Sequence, residues 1–111
     1  MTTADTVVVL VTAPSLEDGQ TMARALVSER LAACVNVVPG VRSVFFWEGA
    51  VQEETEALLL IKTRRERYEA LERRILELHA YSVPEVLALR VEAGSRAYLA
   101  WVGETVSMEG G

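Results

Sequence analysis

The sequence predicts an α+β fold in which one antiparallel sheet carries two helices on one face. Three observations predict it. Short β-branched runs alternate with stretches whose apolar residues recur at helical spacing, giving the order β-α-β-β-α-β-α. Pro and Gly fall between those segments or interrupt them. The two longest extended segments are joined only by Glu48 and Gly49, which makes a hairpin and excludes a crossover. With 111 residues, the chain is the size of one domain spanning residues 1–111, and either half alone would be too small to bury a stable core.

The first strand is the continuous run of Val7, Val8, Val9, Leu10 and Val11, which ends at Thr12-Ala13-Pro14 and reads as buried on both faces. Ser15 then offers a helix N-cap, and Glu17 and Asp18 stand in the first turn, where the helix dipole favours negative charge. Met22, Ala23, Leu26, Val27 and Leu31 continue at helical spacing, so residues 16 to about 30 form the first helix.

Residues 32–38 read as the second strand, which Pro39-Gly40 interrupts and residues 41–47 resume. Proline cannot donate to a ladder, so it marks an edge or a bulge. Residues 51–63 return after the turn. Each arm of about 14 residues at ~3.3 Å gives a reach of roughly 45 Å. A compact domain of this length has a radius of gyration of only ~13 Å, so the hairpin overhangs its own domain. Its tip carries Val44, Phe45, Phe46 and Trp47, which predicts cover by another copy of the chain.

Residues 64–78 form the second helix, with Tyr68, Leu71, Ile75 and Leu78 as its apolar stripe. Ser82-Val83-Pro84 prevents its continuation, residues 86–91 form another strand, and Ser95 caps a short third helix carrying Tyr98, Leu99, Val102 and Val106. Residues 107–111 are expected to fray. The order matches the split β-α-β, ferredoxin-like sandwich with an added C-terminal helix, an architecture that hosts many unrelated functions.

Composition narrows the partners. The net charge of −5 disfavours nucleic acid and anionic membrane, both of which need a basic face. The basic residues between Lys62 and Arg74 are interleaved with Glu66, Glu69 and Glu72 and read as a solvated, paired helix face. No basic stretch precedes the first apolar run, which is far too short to span a bilayer, so neither a leader nor a membrane segment is expected. A single cysteine excludes an intrachain disulfide and fits a reducing, cytoplasmic setting.

Few residues offer chemistry. Cys34 lies on a strand among small and branched apolar residues, where a thiol commonly serves as a small buried hydrophobe; a nucleophile would need a base beside it. His79, the one histidine, admits two readings. At a helix C-terminus it complements the dipole and the last carbonyls. Alternatively, with Tyr81 and Glu85 it brings an imidazole, a phenol and a carboxylate onto one short turn, a set that holds Cu(II) or Zn(II) only weakly unless neighbouring subunits add ligands. Glu53, Glu54 and Glu56 form a solvated acidic group or a cation-attracting rim. No phosphate loop, G-x-S-x-G elbow or dinucleotide fingerprint is present, so no enzyme activity is expected.

Three segments together resemble the CutA family of divalent-cation tolerance proteins. The first is Glu29-Arg30-Leu31-Ala32-Ala33-Cys34-Val35-Asn36, running on to Pro39-Gly40. The second is Ser43 with Phe46-Trp47-Glu48-Gly49, then Glu54 and Lys62-Thr63. The third is His79-Ala80-Tyr81-Ser82-Val83-Pro84-Glu85, followed by Tyr98 and Trp101. The resemblance covers nearly the whole chain in order. It implies a ferredoxin-like subunit in a tight homotrimer, similar in architecture to PII signalling proteins, and a part in tolerance of copper and other divalent cations. It also implies metal-binding capacity, with His79 and Cys34 at matching positions; joined with Glu85 from the reading of the turn, these are the expected metal residues for a weakly bound Cu(II) or other divalent cation that folding does not require. Tyr81, Lys62, Glu54 and Trp47 are the expected cleft residues; in a PII-like sensor or scaffold the same cleft would instead recognise a small molecule or partner protein. Two positions depart from the family pattern. Ala80 stands where proline is usual, and Val11 stands where some members carry a cysteine ligand, so their metal site is not carried over whole.

Overall fold

Strand β1 (Thr6–Ala13) lies inside the sheet, and its burial alternates: Val7, Val9, Val11 and Ala13 are buried while Val8, Leu10 and Thr12 are half-buried. The expectation of two equally buried faces is thus corrected, because α1 and α2 cover one face fully and the rest of the chain covers the other only in part. The computed structural model describes residues 5–108. After β1 come α1 (Leu16–Ser28), β2 (Cys34–Trp47), β3 (Ala50–Arg64), a 3-10 turn (Arg65–Arg67), α2 (Tyr68–Leu78), β4 (Val86–Arg90) and α3 (Arg96–Val106). The sheet order is β2-β3-β1-β4 with every neighbour antiparallel, so each β-α-β unit is split by a strand from the other.

Ser15 caps α1, accepting from the Asp18 N–H at 3.1 Å. The helix stops earlier than its apolar pattern suggests because Arg30 adopts φ 61°, a left-handed C-terminal cap with Leu31 N–H returning to the Leu26 carbonyl at 3.0 Å. Arg30 also donates from Nε to the Thr105 carbonyl at 3.0 Å, tying α1 to the end of α3. Arg30→Gly and Arg30→Ala both delete that bond, but only glycine relieves the left-handed backbone. Chemical denaturation is therefore expected to find the glycine variant more stable than the alanine variant by about 1 kcal/mol.

The predicted start of α2 at Arg64 is also corrected. Arg64 pairs with Thr6 as the last rung of β3, and the helix begins four residues later. The main core joins Val7, Val9, Val11 and Ala13 to Leu59 and Ile61 of β3, Met22 and Leu26 of α1, and Leu71 and Ile75 of α2. On the opposite face, α3 seats Val102 and Val106 against Ala33. The expected frayed tail lies outside the described residues from 109 onward, and Ser107 is the C-cap of α3.

The hairpin carries the largest departure from a compact shape. β1 supports β3 only as far as the Ala13–Ala57 pair, whereas β2 and β3 continue pairing out to Trp47–Ala50. The bulge between Val38 and Val41 coincides with Pro39 and with Gly40 at φ 71°. Glu48 and Gly49 close the tip with φ 51° and 81°, the two left-handed residues of a type I′ turn. The result is a molecule 45 Å long and 26 Å by 22 Å across, with a radius of gyration of 14.6 Å, above the ~13 Å of a compact chain this size. Among the described residues, no helix is long and apolar enough to cross a membrane.

Candidate functional site

His79 is the C-cap of α2 and turns the chain out of the helix with extended backbone. Its ring is held on both sides. Nε2 lies 2.7 Å from the Thr12 carbonyl of β1, and Nδ1 accepts the Tyr81 main-chain N–H at 3.1 Å. These partners dictate the tautomer: a carbonyl only accepts, so Nε2 carries the proton, and an N–H only donates, so Nδ1 presents the lone pair. The Tyr81 ring leans on the imidazole with centroids 4.8 Å apart. Its hydroxyl donates to Glu56 Oε2 at 2.8 Å, a carboxylate on β3 that is only 7% exposed.

The carboxylate that completes this group is therefore Glu56, from the root of the hairpin. Glu85, the expected partner, is exposed just before β4 and makes no side-chain hydrogen bond or ion pair among the described residues. Glu56 pairs with Val41, directly beyond the bulge, so Tyr81 fastens the α2–β4 turn to the point where the hairpin leaves the domain. Burial is the main cause that pushes the Tyr81 phenol up to about 12; the Glu56 bond and the charges of Glu56, Glu54 and Asp18 add to it. Asp18 also lines a small depression with Pro14, Leu78, His79 and Ala80. Ala80 is exposed, and the side-chain bonds of its two neighbours hold the turn where proline would have stiffened it.

That shifted phenol has a consequence at high pH. The neutral form is favoured in the folded state, so the stability it contributes is complete below the ordinary value of 10.0 and is lost as pH rises through about 12. Tyr68 is raised to about 12 and Tyr98 is raised as well, so all three tyrosines ionise late. Ultraviolet titration of the folded protein is expected to show no tyrosinate step at the ordinary value. Glu56→Gln should bring one of the three steps part of the way down, the remainder being held up by burial.

The other expected site residues lie elsewhere in the chain. Cys34 pairs with Lys62, which pairs with Val8, on the sheet face opposite Ile61 and Thr63. Tyr98 of α3 reaches this face, where burial and its bond to Cys34 raise its phenol, and the Lys62 ammonium contacts Asn36 Oδ1. Val8 and Thr12 are four residues apart on β1, about 13 Å, so Cys34 and His79 do not share a site within one chain. Val11, a core residue with no exposure, gives the turn no thiol. Trp47 lies at the tip, six residues from Val41 and about 20 Å away along the strand. Glu54 is exposed, opposite Ser43, on the arm that carries Glu56. Among the described residues, no three His, Cys, Asp or Glu side chains converge as a metal site.

Sequence reasoning groups Glu56 with Glu53 and Glu54 as an acidic rim without joining it to Tyr81, and it passes over Asp18 and the Thr12 carbonyl as parts of this site. Only Glu56 left a signal: it is the acidic residue directly before the apolar run that begins at Ala57.

Known proteins resemble this chain over nearly its whole length. A family model described as CutA1 divalent ion tolerance protein matches residues 7–105. A divalent-cation tolerance protein CutA of Thermus thermophilus is 52% identical over 97 residues, covering 87% of this chain and 94% of its own. A chloroplastic CutA of Arabidopsis thaliana is 49% identical over 90% of this chain, which spans only 55% of that longer protein. Among solved structures, CutA1 of Oryza sativa superposes with a TM-score of 0.92 at 44% identity, covering 96% of this chain and 99% of the other.

Proposed function

The chain belongs to the CutA1 divalent ion tolerance family, and on that premise we propose that it acts in divalent-cation tolerance as a cytoplasmic homotrimer that binds copper and similar cations weakly. The observation that carries the cation reading is the turn around Tyr81. One imidazole nitrogen lone pair and the carboxylates of Asp18 and Glu54 gather there, with the charge of Glu56 behind them on Tyr81. Oxygen donors with a single imidazole suit weak capture of a borderline cation and do not suit tight chelation, for which the described residues of one chain supply too few ligands. In the proposed trimer, neighbouring chains would supply further donors, with Glu85 and Cys34 as the candidate ligands and Trp47 as a cleft residue.

The trimer reading rests on the apolar surface that a single chain leaves open. Phe46 is 71% exposed and Val51 69%, and Leu87 and Leu89 on β4 are both more than half exposed. The small-molecule sensor reading joins Tyr81, Glu85 and Lys62 as recognition groups. Within one chain Tyr81 is bound to Glu56 at the turn, while Lys62 sits on the sheet face beside Cys34, so nothing favours that reading.

Two measurements test the proposal. Light scattering in dilute buffer is expected to give the mass of three chains, and a single-chain mass would reject the trimer. Calorimetric Cu(II) titration is expected to lose most of its heat in His79→Ala. Indistinguishable isotherms would remove His79 from any cation role.

A further inference from the structure

We propose that Tyr81 and Glu56 restrain cation capture at His79 by holding occupied the one nitrogen lone pair the imidazole can offer. The inference rests on the reading of His79 as a cation ligand and deepens it. A histidine ligates through an in-plane lone pair, and a neutral imidazole has only one. Here Nε2 is the protonated nitrogen, donating to Thr12, so Nδ1 is the only nitrogen that could ligate. Nδ1 already accepts the Tyr81 N–H at 3.1 Å. Exchanging the tautomer does not free it, because that would set an N–H against the Tyr81 N–H and a lone pair against the Thr12 carbonyl oxygen. A cation reaches Nδ1 only if the Tyr81 main chain moves away.

What keeps the Tyr81 main chain in place is its own side chain. The phenol is bound to Glu56 Oε2 at 2.8 Å, and the ring lies against the imidazole it blocks. Glu56 is nearly buried and belongs to the sheet at the Val41 rung, so the anchor is the rigid partner and the exposed turn of residues 80–85 is the part that yields. Tyr81 and Glu56 are thus positioning residues that set the affinity of His79 without ligating. Capture of a cation and the Tyr81–Glu56 bond compete, and by linkage each weakens the other by the same factor. The cost of breaking that bond is one physical reason for cation binding at this turn to be weak.

The test uses the full-length protein and Cu(II) as probe in wild type, Tyr81→Phe, Glu56→Gln, His79→Ala and the Tyr81→Phe/His79→Ala double variant. Affinity is read by calorimetry, nitrogen ligation by the hyperfine pattern in electron paramagnetic resonance, and folding by thermal melts. Tyr81→Phe keeps the ring and loses only the hydroxyl that holds the turn. It is expected to bind Cu(II) about ten- to a hundredfold more tightly, the factor that one hydrogen bond to a charged acceptor represents, and with a stronger nitrogen signal. Glu56→Gln retains a neutral acceptor and also removes one negative charge from the turn, so it should gain less than Tyr81→Phe. In the double variant the gain should vanish. If Tyr81→Phe binds no more tightly than wild type while His79→Ala abolishes nitrogen ligation, the restraint is disproved and the cation role of His79 stands. If His79→Ala leaves both the isotherm and the nitrogen signal unchanged, the cation role fails and the restraint with it. If the gain persists without His79, the tether acts on some other ligand and the proposal is overturned.

Discussion

Leu59→Ala is expected to destabilise the protein by about 3 kcal/mol, the middle of the range for deleting a buried leucine side chain. Leu59 has no solvent exposure and occupies the centre of β3, between Val11 of β1 and Val37 of β2. Above it rests α1, with Gly19 buried close against the sheet. A Cβ built there would stand 3.2 Å from Leu59 Cδ1, 3.2 Å from Val37 Cγ1 and 3.4 Å from Ala57 Cβ. Alanine at position 59 leaves a void under this contact, and flanking strands paired on both sides limit how far it can collapse. Since small domains are stable by only about 5–15 kcal/mol, the loss should be plain in urea denaturation at fixed protein concentration.

The same contact makes the prediction specific. Gly19→Ala alone gains helix propensity of about 1 kcal/mol and loses part of it to crowding against Leu59 and Val37. In the Leu59→Ala background one of the two crowding methyls is gone, and the added Cβ fills part of the void. The double variant should therefore be more stable than the sum of the single effects by about 1 kcal/mol. Strict additivity would show that α1 does not bear on Leu59 as the distances indicate.

Much of the fold was legible because its signals are local. Val7 to Val11, Ser15 with its acidic first turn, and the Glu48-Gly49 turn each announce a backbone conformation that neighbouring residues determine. Element edges failed where a distant partner decides. Residues 64–67 read as helix on propensity, but the backbone of Arg64 finds Thr6 across the sheet and stays extended. The candidate site was less legible for the same reason. His79, Tyr81 and Glu85 are close in sequence and were grouped on that ground, yet the acceptor for Tyr81 is Glu56, 25 residues back. No periodic pattern encodes that contact; it follows from the length of β3 beyond β1. Cys34 was set beside His79 through resemblance alone, and strand register sends the two to different parts of the chain.

Phe46→Glu combined with Val51→Lys is expected to convert the proposed trimer into single folded chains. The two positions face each other as a cross-strand rung near the hairpin tip, where β2 and β3 have no third strand beside them. They are 71% and 69% exposed in one chain, so their apolar area contributes nothing to that chain's own core. Burying a phenylalanine and a valine side chain is worth about 1.5–3 kcal/mol each, and in a closed trimer the loss recurs at three equivalent contacts. The opposite charges can pair across the strands, as Arg42 and Glu53 do on a diagonal further down the hairpin at 2.8 Å, so the hairpin itself is not asked to unfold. The effect is then confined to association. Light scattering should fall from three chains to one while far-ultraviolet circular dichroism is retained, and the melting temperature should become independent of protein concentration. A variant that keeps the three-chain mass would place the interface elsewhere, with the β4 surface of Leu87 and Leu89 the next apolar area to test.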